Sequence, residues 1–294
     1  MASTFTIRDT TFLANPLEAG LYCVATPIGN LGDITIRALE VLAACDVIAC
    51  EDTRTSGVLL KRYGIDRPKL SYNEHNADHR GQELLGRIEN GGSVALISDA
   101  GTPLINDPGT RLVQAAIEYG LAVFPLPGAS APLAALVGSG LAPDDFRFLG
   151  FLPSRSGARR SMLENLQSHK GTLLFFESPK RLVATLQAMA DVFGEDRRAV
   201  VARELTKMHE TFHRGTLAQL LAEFSNAERV RGEIVIAVEA GPGADVTTLD
   251  IEAMLTEALA SMKTKDAASH VAGQTGLPRQ ELYKRALQLT KRDE

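Results

Sequence analysis

Short apolar runs alternate along the chain with segments whose apolar residues recur every three to four positions. Residues 21–26 (LYCVAT), 46–50 (DVIAC), 93–98 (SVALIS) and 121–126 (LAVFPL) read as strands. Residues 34–44 (ITIRALEVLAA), 56–63 and 110–119 carry the helical period. A further helix is expected between the polar loop SYNEHN (71–76) and the third strand, and an apolar helix after the loop PGASA. Strands that are apolar on both faces and separated by helices predict a parallel sheet covered on both sides.

Pro143, Pro153 and the polar stretch 154–160 break this rhythm, which places a domain boundary near residue 142. The pattern resumes with 172–176 (TLLFF). Ser178–Pro179 then predicts a helix N-cap with proline in the first helical position. A strand at about 198–202, a polar β-like segment through His213, a helix at 217–224 and a strand at 233–238 (EIVIAV) follow. GPGA (241–244) predicts a linker, and the segment beyond it is helical without strand signals. The expected organisation is an α/β domain over 20–142, a second over 143–240, and a helical tail over 245–294. No repeat of 20–50 residues is visible.

Composition narrows the class. The 294 residues are 45% hydrophobic and 23% charged, which excludes intrinsic disorder. There are no sustained heptads and no apolar run of the ~18–20 residues needed to cross a membrane. The first fifteen residues lack a basic segment followed by an apolar core, so no signal peptide and a cytoplasmic location are expected. Cys23, Cys45 and Cys50 fall inside apolar runs and read as buried thiols in a reducing compartment. The net charge is −5, so any nucleic-acid contact must come from local basic patches. With no tryptophan and 5% aromatics, a single-strand binder built on stacking platforms is disfavoured.

Three loops each follow a predicted strand: 26–33, 99–109 and 127–131. Each combines glycine with proline or small hydroxyl residues. In open α/β sheets ligands bind beyond the carboxyl ends of the strands, and small residues there let backbone polar groups approach them. The loops read either as tight turns or as a pocket for a nucleotide-like molecule held by main chain. Neither G-x-G-x-x-G nor G-x-x-x-x-G-K-[ST] is present, so dinucleotide and P-loop sites are not supported. Glu51-Asp52-Thr53-Arg54 directly follows a strand, where catalytic groups often lie. The alternative is a helix cap, with Asp52 or Thr53 capping and Arg54 solvated. For Glu177-Ser178-Pro179-Lys180-Arg181 the alternative is again capping plus a surface cation pair. His75, His79, His209 and His213 form no metal-ligand set, so no metal is expected.

Several motifs occur together and in order: ATPIGNLGDITIRAL (25–39), CEDTRTSGVLL (50–60), SDAGTPLINDPG (98–109), PLPGASA (125–131) and FFESPKRL (175–182). ARELTKMHE (202–210) and GEIVIAVE (232–239) extend the set. Together they resemble the ribosomal-RNA-modifying branch of the tetrapyrrole methylase superfamily, over about residues 20–240. The tetrapyrrole-modifying branch typically opens with G-x-G-P-G-D, whereas this chain has TPIGNLGD. The resemblance implies two α/β domains with S-adenosylmethionine (SAM) in the cleft between them. It implies 2′-O-methylation of cytidine 1402 in 16S ribosomal RNA of the small subunit, and a homodimer. It also implies cofactor contacts from Pro27, Asp99, Ala100, Gly101, Thr102, Ile105, Ser130 and Ala131, and from Glu177 and Leu205 in the second domain.

Methyl transfer from a sulfonium to a ribose hydroxyl needs alignment above all, with a base to take the proton. Glu51, ending the second strand, is the first candidate for that base and Asp52 the second. Lys180 would ease the charge on a developing alkoxide, and Arg54 would hold a neighbouring phosphate. For RNA the candidates are Arg155, Arg159, Arg160 and Arg181, with Lys263, Lys265, Arg279, Lys284 and Arg285 in the tail. Residues 261–292 carry seven basic residues, including Lys291 and Arg292, against Asp266 and Glu281. KDAASHVAGQTGLPRQELYKRAL (265–287) resembles a helix-turn-helix, with Thr275-Gly276-Leu277 at the turn and Pro278 opening the second helix. A basic solvated tail used for packing is the plainer reading. Two other functions stay open on the residues alone: methylation of a tetrapyrrole or other small molecule, and a non-catalytic nucleotide- or nucleic-acid-binding module.

Overall fold

The chain begins with a hairpin that the hydrophobic pattern does not announce. In the computed structural model, which describes residues 3–241, 248–275 and 277–290, β1 (Thr4–Ile7) pairs antiparallel with β2 (Thr10–Leu13). Phe5 is the anchor, buried under the first sheet, while β2 is exposed along its length.

A parallel sheet follows. Its strands are β3 (Gly20–Val24), β4 (Val47–Cys50), β5 (Lys69–Ser71), β6 (Ser93–Ile97) and β7 (Val123–Leu126), in the order β5-β4-β6-β3-β7. Every pairing is parallel. Helices α1 (Ile36–Ala44), α2 (Thr53–Arg62), α3 (Ala77–Glu89) and α4 (Thr110–Glu118) form the crossovers. Strand β4 shows why its run is apolar throughout. Ile48 and Cys50 join one core with Leu39, Leu42 and Leu60, while Val47 and Ala49 join another with Leu84, Leu85 and Leu112. Both faces are covered, as the pattern predicts. Cys45 and Cys50 are buried free thiols, and burial pushes Cys45 up to about 12, which keeps it protonated at neutral pH.

Helix α5 (Ala131–Ser139) leaves this sheet and packs on the second one. Its Ala135 meets Ala202 and Val235, and its Leu136 meets Leu174, Val200 and Ala237. The second sheet comprises β8 (Phe146–Phe151), β9 (Thr172–Glu177), β10 (Arg198–Arg203), β11 (Thr211–Thr216) and β12 (Ile234–Val238), in the order β11-β10-β12-β9-β8. Only β8–β9 is parallel; the other pairings are antiparallel. Helices α6 (Ser156–Glu164), α7 (Leu182–Phe193) and α8 (Leu217–Ser225) complete it.

Two expectations need correction here. The polar stretch 154–160 is not a break: it enters α6, whose only buried residue, Leu163, lies near its end. Ser178–Pro179 does not cap a helix. These residues open a turn, with the Ser178 carbonyl accepting from Arg181 and Leu182 N–H, and α7 starts at Leu182.

The chain divides into two compact units, Met1–Glu164 with Gly171–Glu239, and Asn165–Lys170 with Ala240–Glu294. The boundary expected near residue 142 thus falls inside the first unit. The second unit holds α9 (Thr248–Leu259), α10 (Thr264–Thr275) and α11 (Arg279–Thr290) around Leu255, Ala267, Val271, Leu282 and Ala286. Pro278 immediately precedes α11, its carbonyl accepting from Glu281 and Leu282 N–H. Gly276, residues 242–244 of the expected linker, Lys291 and Arg292 lie outside the described residues. Among the described residues no helix is long and apolar enough to cross a membrane.

Candidate functional site

Parallel pairing sends the loops after β3, β4, β6 and β7 out of one edge of the first sheet, the edge where such sheets bind ligands. Backbone bonds stitch these loops together. Thr26 and Gly101 exchange N–H···O bonds of 2.8 and 3.0 Å. The Thr26 hydroxyl donates to the Ser98 carbonyl at 3.1 Å, and the Thr102 hydroxyl donates to the Ala129 carbonyl at 3.1 Å. The loop between β10 and β11 meets them closely: a Cβ at Gly29 would collide with the Lys207 side chain. Ile28 packs against Ala202, Leu205 and Val235.

Together these segments enclose a cavity of about 280 Å³. That is at the lower end of the ~300–1,000 Å³ usual for small-molecule sites. Of the ten proposed cofactor residues, Ala100, Gly101, Thr102, Ile105, Ser130, Ala131, Glu177 and Leu205 line it. Pro27 and Asp99 do not. From the first loop it is Ile28 that lines the cavity, while the Asp99 carboxylate accepts from the Asp52 N–H at 3.3 Å. Sequence reasoning missed Asn106, Asp107, Pro132, Phe151, Phe176, Glu233, Ile234 and Val235. Phe176 is also flanked by Phe148 and Phe151, with ring centroids 4.8 and 5.5 Å away.

Glu177 ends β9 with its carboxylate fully buried. It accepts from Ser178 N–H at 2.7 Å and from the Thr185 hydroxyl at 2.5 Å, with Arg181 Nε 3.5 Å away. Arg181 donates through Nη2 to the carbonyls of Leu152 and Pro153, at 2.6 and 3.3 Å. The pair therefore ties the turn after β9 to the end of β8. Arg181 is thus engaged within the protein, its side chain 29% exposed.

The other charged candidates divide as follows. Asp52 is the N-cap of α2, accepting from Arg54 N–H at 2.8 Å and paired with the Arg54 guanidinium at 2.7 Å. The Arg54 side chain beside it pulls its carboxyl down to about 2, so Asp52 is a cap and a poor base. Glu51 is exposed and lines a depression beside the cavity, together with Asn73, Glu74, His75, Asn106, Asp107 and Pro108. Partial burial, then the charges of Asp99, Glu74 and Asp52, push Glu51 up. Lys180 is exposed in the turn after β9, off the cavity wall and without an ion pair among the described residues. Arg155 is exposed. Arg159 reaches the Ser154 carbonyl at 3.4 Å, and Arg160 pairs with Glu164 at 2.9 Å. In the second unit Lys263, Lys265, Arg279 and Lys284 are exposed, whereas Arg285 pairs with Glu281 at 2.6 Å.

The profile of the family described as Tetrapyrrole (Corrin/Porphyrin) Methylases matches residues 20–221. The chain belongs to the tetrapyrrole methylase family. A second profile, described as "RsmI C-terminal HTH domain", matches residues 245–290. Among relatives, a protein of Mesorhizobium japonicum named "Ribosomal RNA small subunit methyltransferase I" is 51% identical, over 96% of either chain. Relatives of the same name from Escherichia coli O157:H7 and Synechocystis sp. are 45% and 44% identical, over 94% and 92% of this chain and 97% and 98% of theirs. Solved structures share the fold at low identity. A cobalt precorrin-4 methyltransferase superposes with a TM-score of 0.56 at 19% identity, over 74% of this chain and 93% of its own. Diphthine synthase gives a TM-score of 0.57 at 18% identity, over 75% and 89%.

Proposed function

We propose that the chain transfers the methyl group of SAM to the ribose 2′-hydroxyl of a cytidine in 16S ribosomal RNA of the small subunit. The near end-to-end likeness to ribosomal RNA small subunit methyltransferases, C-terminal segment included, carries this reading. The cavity fits the donor. Its wall is apolar at Ile28, Ile105, Phe151, Phe176 and Leu205, which suits an aromatic base and the carbon skeleton around the sulfonium. Small residues at Ala100, Gly101 and Ala131 leave main-chain groups within reach of the ligand. The donor supplies a methyl carbon already activated by positive sulfur. The chain's share is to orient, to exclude water and to receive one proton.

Thr102 is held by the Ala129 carbonyl and keeps the loops after β6 and β7 in register around the cavity. Glu177, committed to Ser178 and Thr185, shapes the wall rather than offering a free carboxylate to the cofactor. RNA phosphates are met by exposed cations: Lys180 and Arg155 on the first unit, Lys263, Lys265, Arg279 and Lys284 on the second. The basic surplus belongs to residues 261–292. Residues 245–294 as a whole hold seven basic and eight acidic residues, with Asp250, Glu252 and Glu257 concentrated in α9. The chain works as a homodimer in the cytoplasm, in line with the family resemblance; sedimentation of the purified protein tests the dimer.

Labelled SAM, incubated with the full-length protein and either small subunits or deproteinised 16S RNA, tests the activity. The expected result is label at one ribose 2′-oxygen. Label in a porphyrin-type compound but not in RNA would transfer the site to small-molecule methylation.

A further inference from the structure

Two openings meet at one carboxylate. The cavity and the depression beside it share two wall residues, Asn106 and Asp107. A donor held in the cavity reacts only with an acceptor whose oxygen comes within about 3–3.5 Å of the methyl carbon. The depression is open to the outside and carries polar groups from two further segments, Glu51 after β4 and Asn73, Glu74 and His75 after β5. At the junction itself Asn106 has no proton-accepting charge, and its side chain is pressed against the second sheet, 2.6 Å from where a Cβ on Gly150 would stand. Asp107 is half-buried and makes no ion pair among the described residues. It is held between Asn106, itself in the left-handed region at φ +68°, and Pro108.

We infer that Asp107, not Glu51, takes the proton from the acceptor hydroxyl, and that the depression beyond it is the acceptor subsite. This rests on the methyl-transfer reading above. As the ribose oxygen forms its bond to the methyl carbon, the carbon–sulfur bond breaks with its electron pair going to sulfur. The hydroxyl proton passes to a carboxylate oxygen of Asp107. No further reactant is required. Glu51 lies on the outer wall, exposed to water, and acts on Asp107 through space.

The electrostatics of the junction agree with this assignment. Burial first, then the negative charge of Glu51 and less strongly that of Asp99, push Asp107 up to about 6, with the Ser98 hydroxyl opposing them. Tyr72, Glu74, His75 and Arg111 are the other ionisable groups on the walls that Asp107 shares with the neighbouring depressions, and Glu177 and Glu233 those on the cavity wall from the second sheet. A carboxyl near 6 is still ionised at neutral pH and is a stronger base than an ordinary aspartate.

The test uses the full-length protein with labelled SAM and small subunits. Asp107→Asn keeps the shape and removes the base. Calorimetry should find SAM binding within about threefold of wild type, while transfer slows by about 10²–10⁴-fold. The rate of the unmodified protein should fall as pH drops through about 6, and that acid limb should vanish in Asp107→Asn. Removing a neighbouring negative charge lowers the Asp107 pKa, so Glu51→Gln should move the acid limb to lower pH. This second variant decides the matter even if Asp107→Asn does not fold. A rate for Asp107→Asn within tenfold of wild type, or an acid limb unmoved by Glu51→Gln, overturns the assignment. If the unmodified protein binds SAM but labels no RNA, the methyl-transfer reading itself fails and this inference falls with it.

Discussion

Replacing Gly101 with alanine tests whether the cavity wall is the cofactor wall. Gly101 sits at φ +84°, a conformation costing an L-residue roughly 1–2 kcal/mol. Both of its backbone groups are bonded to Thr26, so the chain cannot relax that angle without losing the tie between two loops. The new Cβ would lie 3.3 Å from Cγ2 of Ile28 and 3.7 Å from the Ala129 carbonyl, close enough that Ile28 must give way. For a folded unit of this size each kcal/mol shifts the midpoint by about 2–4 °C, so thermal unfolding should drop by about 2–8 °C. Ile28 lines the cavity, so its displacement should also weaken SAM binding at least about tenfold, or 1.4 kcal/mol, in calorimetry. Gly101→Val, with two more methyl groups, should abolish binding in a protein that still folds. A lower melting temperature with unchanged SAM affinity would show that this loop is scaffold and that the ligand sits elsewhere.

Three further outcomes are expected. The Asp107 pKa is raised in the fold from 3.8 to about 6, so its contribution to stability is fully present below pH 4 and is lost as pH rises through 6. Asp107→Asn should therefore be more stable than wild type at pH 7–8, by on the order of 1 kcal/mol once a full shift worth about 3 kcal/mol is discounted for its solvent exposure, and equal at pH 4; melting curves at both pH values check this. Glu177→Ala leaves the Thr185 hydroxyl and the Ser178 N–H without their acceptor and the Arg181 guanidinium without its counter-charge. Denaturant titration should show a loss of about 3–5 kcal/mol, and a loss below 1 would mean that the turn does not depend on this buried charge. Deleting residues 245–294 should leave SAM affinity intact but weaken small-subunit binding and flatten its salt dependence, by a slope of about 0.7–0.9 for each RNA phosphate no longer neutralised. Binding that survives truncation at every salt concentration would assign docking to the first unit.

What the sequence discloses follows burial. Strands β4 and β6 are buried on both faces and stand out as apolar runs. β2 is wholly exposed and β5 is three residues long, so neither leaves a run to see. β8 alternates partly exposed aromatics with Arg147 and Gly150, next to prolines that read as a break. The cavity's first-sheet wall was legible because glycine and proline follow apolar runs there. Its second-sheet wall was not: which side chains of β8, β9 and β12 face inward depends on pairing register, parallel for β8–β9 and antiparallel for β9–β12, which no local pattern encodes. Asp107 lay within a motif notable for its glycines and prolines. What distinguishes it from Glu51 is enclosure, which only the packed loops create.

The cavity wall spans the chain from Ile28 to Val235. As the protein emerges from the ribosome, the first sheet is complete once residue 126 is out, but the pocket has no far side until β12 has paired with β9 and β10. A nascent chain is therefore blind to the cofactor through most of its synthesis. Ligand binding cannot rescue a first half that folds badly; it stabilises only the finished unit, by RT ln(1 + [L]/Kd). Until then the exposed inner face, with Ile28 and Ala135 waiting for Ala202 and Val235, is apolar surface that the cell must keep from other chains.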